Sequence, residues 1–384
     1  MYRLNPEQKA VVEKAGKIAD EEIAAYATDV DAKGRYPREG MEALGRAGFL
    51  GLTIPKDKGG MGQGFRVAAA VLDELAQRDA SLAMVYKMHL CGCACYVAFP
   101  QVGEKYFRRI VEGKHLTTLA WSEQGSRSHF WAPASQALES DGKVILNAQK
   151  SWVTSAGEAD GYVVATRTPG GTGPTDTMLY LVLKEDSGMR IAGIWNGLGM
   201  RGNASFPMVL ENCTIPADRA LCKKSEGFQT MLGVVLPWFN IGNEAISVGI
   251  CEAAVAATTS HLTSRRFSDM NNAKLSELPT LRARLAQMRI ETDRARAHLV
   301  SVLDSIENPS PQTTLMVLES KTAGAEAAIF VTDLGMKACG GAAFSRHLSL
   351  ERSFRDARAA YVMAPTSDVL QEFIGRALCG MELF

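Results

Sequence analysis

Net charge is missing from this 384-residue chain: Lys plus Arg and Asp plus Glu both number 42. That balance removes the electrostatic case for nucleic acid or an anionic membrane surface as partner. Long apolar runs are scarce as well. No stretch reads as the roughly 18 to 20 apolar residues of a membrane span, so no membrane is expected. The N-terminus, MYRLNPEQKAVVEK, has neither the apolar core of a signal peptide nor the Arg-rich, acid-poor character of a transit peptide, and a cytoplasmic location is expected. Paired cysteine spacings are also absent: the eight cysteines are scattered, which favours reduced thiols over a disulfide framework. Cys91, Cys93 and Cys95 form the one cluster. In a helix a residue two along points away from its neighbour, so small-residue packing is expected there and no metal site. A dinucleotide fingerprint is lacking too. Gly60, Gly62 and Gly64 give G-x-G-x-G outside a strand–helix setting, which reads as a glycine-rich connector.

What is present points to several packed units, because the chain exceeds the roughly 250 to 300 residues at which one core stops growing. The expected class is α+β, with an N-terminal helical bundle over 1–115, a small β-barrel-like domain over 116–222 and a C-terminal four-helix bundle over 223–384. Asn5 followed by Pro6 is a helix start, and Val12, Ala15, Ala19, Ile23 and Tyr26 continue at helical spacing. Further helices are predicted over 41–47, 65–79, 82–99 and 103–112. Short β-rich runs then follow at 144–146, 151–154, 162–166, 178–183 and 207–210, separated by DG, GG and EN turn signals. Helices return over 228–263, 278–306, 313–339 and 369–378, with Gly340-Gly341 ending one of them.

The stretch from Leu119 to Thr154 is where helix gives way to strand and polar loop. Ser122, Gly125, Ser126 and Ser128 offer hydroxyls and bare backbone that can hydrogen-bond a ligand ring or phosphate closely. Trp152 and Thr154 are two apart, so a regular strand would present both on one face. An aromatic slab beside a hydroxyl suits a flat, hydrogen-bonding cofactor.

Six short motifs in order carry a resemblance that covers essentially the whole chain: Ser122-Glu-Gln-Gly-Ser-Arg-Ser128, Lys150-Ser-Trp-Val-Thr-Ser155, Gly197-Leu-Gly-Met-Arg-Gly202, Arg265-Arg-Phe267, Cys339-Gly-Gly341 and Arg355-Asp356. The chain resembles the acyl-CoA dehydrogenase superfamily. The resemblance implies FAD as cofactor, with Ser122 and Ser128 bonding the flavin and its phosphates and Trp152 and Thr154 flanking the ring system. It implies that Arg265, Gly340 and Gly341 complete the site of a neighbouring subunit, hence a homodimer or homotetramer. Thr366 and Asp368 are the remaining cofactor-binding candidates. The implied substrate is an acyl thioester of coenzyme A or a carrier protein, with an electron acceptor protein or oxygen as the second partner.

Desaturating such a thioester requires a base for the α proton and an acceptor for the β hydride. By resemblance the base is a glutamate soon after the Arg-Asp pair, and Ala364 stands in its place. The family's second position for an acid, early on the first long C-terminal helix, falls near Phe239. Asp368 and Glu244 are the nearest acids. Asp368 reads as a first-turn residue of a helix capped by Thr366 or Ser367, and Glu244 as a solvent-facing or salt-bridge residue. Losing general-base help costs about 10² to 10⁴-fold. A flavin-dependent monooxygenase on the same scaffold is therefore the alternative reading, since that chemistry wants an apolar, water-excluding pocket more than a base. A third reading is a flavoprotein that binds FAD without turnover. His89, His129 and Trp131 are further polar or aromatic groups near the expected site, with a structural role favoured for a lone histidine.

Overall fold

The computed structural model describes residues 2–126 and 129–383; Ser128 lies outside them. Helices α1 (Pro6–Ile18), α2 (Ala27–Lys33), α3 (Arg38–Arg46), α4 (Phe65–Ala76), α5 (Ala80–Ala98) and α6 (Pro100–Val111) form the N-terminal unit. Asn5 caps α1 through a reciprocal pair with Gln8, as its position before Pro6 suggests. Gly48, at φ 85°, ends the α3 segment in the left-handed region that only glycine enters without strain. Helix α5 is the core helix of the molecule: every residue from Ala80 to Tyr96 is buried. Two helical stretches are long and apolar enough to cross a membrane, 80–98 and 227–264, which corrects the expectation of no such run. Of their most apolar windows, 89% and 61% are buried against the rest of the protein.

The middle unit holds β1 (Thr117–Ala120), β2 (Leu138–Ser140), β3 (Lys143–Val153), β4 (Gly161–Arg167), β5 (Thr177–Leu183), β6 (Met189–Ile191) and β7 (Phe206–Pro216). They make two sheets, β1-β4-β5 and β2-β3-β7-β6. Only β1 and β4 run parallel, Thr117 opposite Gly161; the other ladders are antiparallel. The two expected strands 144–146 and 151–154 are one long strand, β3, whose pairing with β7 slips between Lys150 and Val153.

The C-terminal unit comprises α7 (Gly227–Thr230), α8 (Leu236–Ser264), α9 (Pro279–Glu307), α10 (Thr313–Cys339), α11 (Gly341–Phe344), α12 (Leu350–Val362) and α13 (Ser367–Leu378). Asn240 donates to the Val317 carbonyl, Gly324 packs on Glu244 and Gly335 on Thr258, so α8 and α10 run in the same direction. Helix α9 returns between them, with Arg289 on Glu252 and His298 on Glu244. The bundle is tied to the N-terminal unit by buried charge: Arg296 of α9 bridges Asp73 of α4 at 2.9 Å and also meets Glu252, while Tyr2 donates to Asp73 at 2.8 Å.

Candidate functional site

One large cavity of about 1330 Å³ opens where the three units meet. Its walls come from Met84 and Met88 of α5, the 119–125 and 149–154 segments, Trp195 to Met200, Phe239 of α8 and the 355–366 segment. Such a meeting place, apolar with a few convergent polar groups, is where ligands are usually held.

The wall at 121–126 is fastened from behind by a buried ion pair. Lys150 and Glu123, both almost fully buried, meet at 2.6 Å. Glu123 also accepts the Ala134 and Ser135 amides at 2.6 and 2.8 Å and the Ser135 hydroxyl, and Lys150 donates to the Ala165 carbonyl. Burial works to raise the Glu123 pKa, but the Lys150 ammonium and these donors hold it below the usual carboxylate range. Both residues lie inside the motifs read from the sequence without having been singled out. Each is flanked by polar residues, Ser122 and Gln124 or Gln149 and Ser151, so nothing in the local sequence marks either as buried. Ser126 is spent on the same turn, exchanging hydrogen bonds with the Glu123 backbone.

Trp152 and Thr154 both line the cavity, but not by regular alternation. Trp152 sits at φ 58° beside the slip in the β3–β7 register, so the same-face argument does not hold. Its ring is 61% exposed, stacked edge-on to Trp195 at 5.5 Å. Thr154 is buried, with its hydroxyl 3.2 Å from that of Ser205 and its carbonyl bonded by the Thr118 hydroxyl.

The Gly197–Gly202 turn serves as the joint between units. The Met200 amide donates to the Asp356 carboxylate at 2.6 Å, and a Cβ on Gly199 would lie 2.3 Å from the Arg355 carbonyl. Arg355 in turn bridges Asp31 of α2 at 2.6 Å and Glu351 at 2.8 Å. The motif and the Arg-Asp pair are thus two halves of one contact. Burial pushes the Asp356 carboxyl up to about 7, against the pull of the Met200 amide.

Ala364 lines the cavity, as do Met363, Pro365 and Thr366. Lys321 of α10 holds this loop from beneath, its ammonium donating to the Ala360 and Pro365 carbonyls at 2.5 and 2.8 Å. No carboxylate is brought to Ala364 among the described residues. Asp368 is exposed in the first turn of α13. Glu244 is fully buried but faces α9 and α10, accepting from His298 Nδ1 at 2.7 Å. Burial pushes it up to about 7, opposed by His298. Phe239 lines the cavity at the second acid position.

Arg265, Gly340 and Gly341 do not line this cavity. Helix α8 has 29 residues and so spans about 43 Å; Phe239 is near its start and Arg265 caps its end. Gly340 ends α10, which runs parallel to α8, at that same remote end. All three residues are exposed. His89 is structural: its Nδ1 accepts the Thr117 amide and its Nε2–H donates to the Leu50 carbonyl, and burial lowers its pKa to about 4 against the pull of those two bonds. His129 stacks on Trp131, which packs against Phe373; neither lines the cavity. Cys91, Cys93 and Cys95 are buried in α5.

The walls fit a flavin on structural grounds. Trp121 lines the cavity with a buried indole N–H that has no hydrogen-bond partner among the described residues. Gly125, at φ 95°, leaves open space on the cavity side where a side chain would stand. Trp152 offers an exposed aromatic ring, and Thr154 lines the same cavity. Fold and cavity together define a flavin-dependent oxidoreductase of helix–β–helix architecture.

Comparison with known proteins agrees. The acyl-CoA dehydrogenase N-terminal, middle and C-terminal domain families match residues 5–114, 118–213 and 225–379. A probable acyl-CoA dehydrogenase FadE25 of Mycobacterium tuberculosis is 26% identical over 98% of this chain and 97% of its own. The cyclohex-1-ene-1-carbonyl-CoA dehydrogenase of Geobacter metallireducens is 25% identical over 98% and 99%. The solved butyryl-CoA dehydrogenase of Megasphaera elsdenii superposes with a TM-score of 0.91 at 23% identity, covering 98% of this chain and 99% of that one. This chain belongs to the acyl-CoA dehydrogenase superfamily, and its cofactor is FAD.

Proposed function

We propose that the protein desaturates an acyl thioester at its α and β carbons, the acyl group being carried by coenzyme A or a carrier protein and an electron acceptor completing the turnover. The observation that carries this reading is the cavity itself. It is bounded by the flavin-contacting segments on one side and the Ala364 loop on the other, with about 1330 Å³ between them. Bound FAD supplies hydride acceptance. The chain's own residues bind and orient. Trp152 and Thr154 flank the ring system, with Ser122 and the Trp121 N–H as hydrogen-bonding groups beside it. Met84, Met88 and Phe239 enclose the acyl chain and exclude water, which strengthens every polar contact inside. Relatives of nearly equal length bear names of acyl-CoA dehydrogenases, which supports the thioester over the monooxygenase reading. Arg265, Gly340 and Gly341, remote from their own cavity, serve a second copy's site in this reading.

The test is anaerobic mixing of the purified holoprotein with saturated acyl thioesters. Flavin bleaching without oxygen supports the reading, and Ala364→Glu is expected to raise the bleaching rate at least tenfold. A flavin that stays oxidised with every thioester, yet is consumed together with oxygen once reduced, overturns it.

A further inference from the structure

The cavity's own charged residues are all committed. Glu123 and Lys150 hold each other, Arg355 is shared between Asp31 and Glu351, and Arg358 is taken by Asp333 and Thr332. Among the described residues, one basic side chain next to the cavity has no hydrogen-bond partner. Lys87 of α5 is fully buried and its Nζ is unpartnered. Nothing in the reading above uses it.

Its position is built rather than incidental. Met84 and Met88, a turn apart on α5, line the cavity, and Lys87 stands on the adjoining flank of that face. The lysine stem passes over Gly242 of α8, where an added Cβ would lie 2.7 Å from Lys87 Cγ. Its Nζ then lies over the ring of Phe239, 3.7 Å from the centroid. Phe239 lines the cavity and Gly242, three residues on, does not. The side chain therefore runs along α8 toward the cavity, and ends against the residue that occupies the second acid position.

We propose that Lys87 is the base that takes the substrate's α proton, the Phe239 ring moving aside to admit it. This rests on the thioester reading above. In the step, the neutral amine removes the proton from the α carbon and becomes an ammonium. Bound FAD would supply the acceptor for the β hydride and its electron pair, which leaves the carbon–carbon double bond. A neutral amine is available because burial lowers the Lys87 pKa to about 7, with Cys91 on α5 opposing. Lys321 on α10 is close enough to interact and is itself lowered to about 7, chiefly by burial and then by Lys87. It stays committed to the Ala360 and Pro365 carbonyls. The remaining buried acid of this region, Glu244, is turned to His298.

Exchange of the thioester's α hydrogens with solvent deuterium, followed by mass spectrometry on the FAD-loaded protein, reads proton removal separately from hydride transfer. Lys87→Met is expected to slow exchange and anaerobic bleaching by about 10²-fold or more while FAD stays bound and the protein stays folded. The wild-type rate is expected to rise with pH through about 7, and that rise is expected to vanish in the variant. Phe239→Leu is expected to speed exchange, and to lose that gain when combined with Lys87→Met. Wild-type exchange and bleaching with an unchanged rate and pH profile in Lys87→Met overturns the assignment of Lys87 and leaves the thioester reading standing. No exchange and no bleaching by the wild type with any thioester overturns both.

Discussion

At the scale of single residues, two buried cations set the behaviour of the site in opposite ways. Lys150 is compensated: it has the Glu123 carboxylate at 2.6 Å. Glu123→Gln leaves that ammonium buried and unpaired, a change that costs about 3 to 5 kcal/mol. Denaturant unfolding is expected to show this loss together with weakened FAD retention, because the 121–126 turn loses its anchor. Lys87 has no counter-charge, only the Phe239 ring 3.7 Å from its Nζ, and its penalty is pH-dependent. Its pKa is lowered to about 7 from the ordinary 10.5, so the unfolded chain binds the extra proton between those values. Stability therefore rises with pH across that window. Lys87→Met is expected to be more stable than wild type by roughly 1 to 3 kcal/mol at pH 7 and below. That advantage is expected to shrink as pH climbs toward 10.5, which thermal melts at stepped pH would follow. Equal melting temperatures at all pH values would mean that the Lys87 charge is satisfied in the folded state.

At the scale of elements, the joint between the Gly197–Gly202 turn and α12 holds the cavity together. A Cβ at Gly199 meets backbone, 2.3 Å from the Arg355 carbonyl, which no side-chain adjustment relieves. Gly199→Val is expected to destabilise the protein by about 2 kcal/mol or more and to lower FAD occupancy, read from the flavin absorbance of the purified variant. The sequence was informative for elements whose burial is apolar and periodic: α10 begins and ends at the expected residues, 313 and 339. It was uninformative for α12. That helix buries Ser353 and Asp356 along with Leu350, Ala357 and Ala360, and Asp356 accepts the Met200 amide, so its buried face is only partly apolar. The short strand β1 was missed because its four residues, Thr117–Ala120, are too few to stand out as a β-rich run of the length that revealed the equally buried β4 and β5. In β3 the irregularity at Trp152 defeated the period-two argument, although the motif itself pointed to the right wall.

At the scale of the whole molecule, motif order gave the architecture and several segments that line the cavity, because both depend on residues contiguous in sequence. The floor of the cavity was only partly legible: the resemblance pointed to Phe239 and Ala364, and nothing in the sequence singled out Met84 and Met88. That floor is assembled from Met84, Met88, Phe239 and the Ala364 loop, which are close only after three units pack. Arg265, Gly340 and Gly341 remain unexplained within one chain. If they serve a second copy, light scattering is expected to show a dimer or tetramer, and Arg265→Ala is expected to weaken FAD binding without lowering the unfolding midpoint of the FAD-free protein. A monodisperse monomer that retains FAD would remove their assigned role.

The central claim is that the cavity desaturates acyl thioesters, and its most direct test is the fate of the substrate. Holoprotein incubated anaerobically with a saturated acyl thioester should return that thioester lacking two hydrogens, in amounts matching the flavin reduced. Recovery of unchanged thioester, or of a product that has gained an oxygen atom when air is admitted, would contradict it.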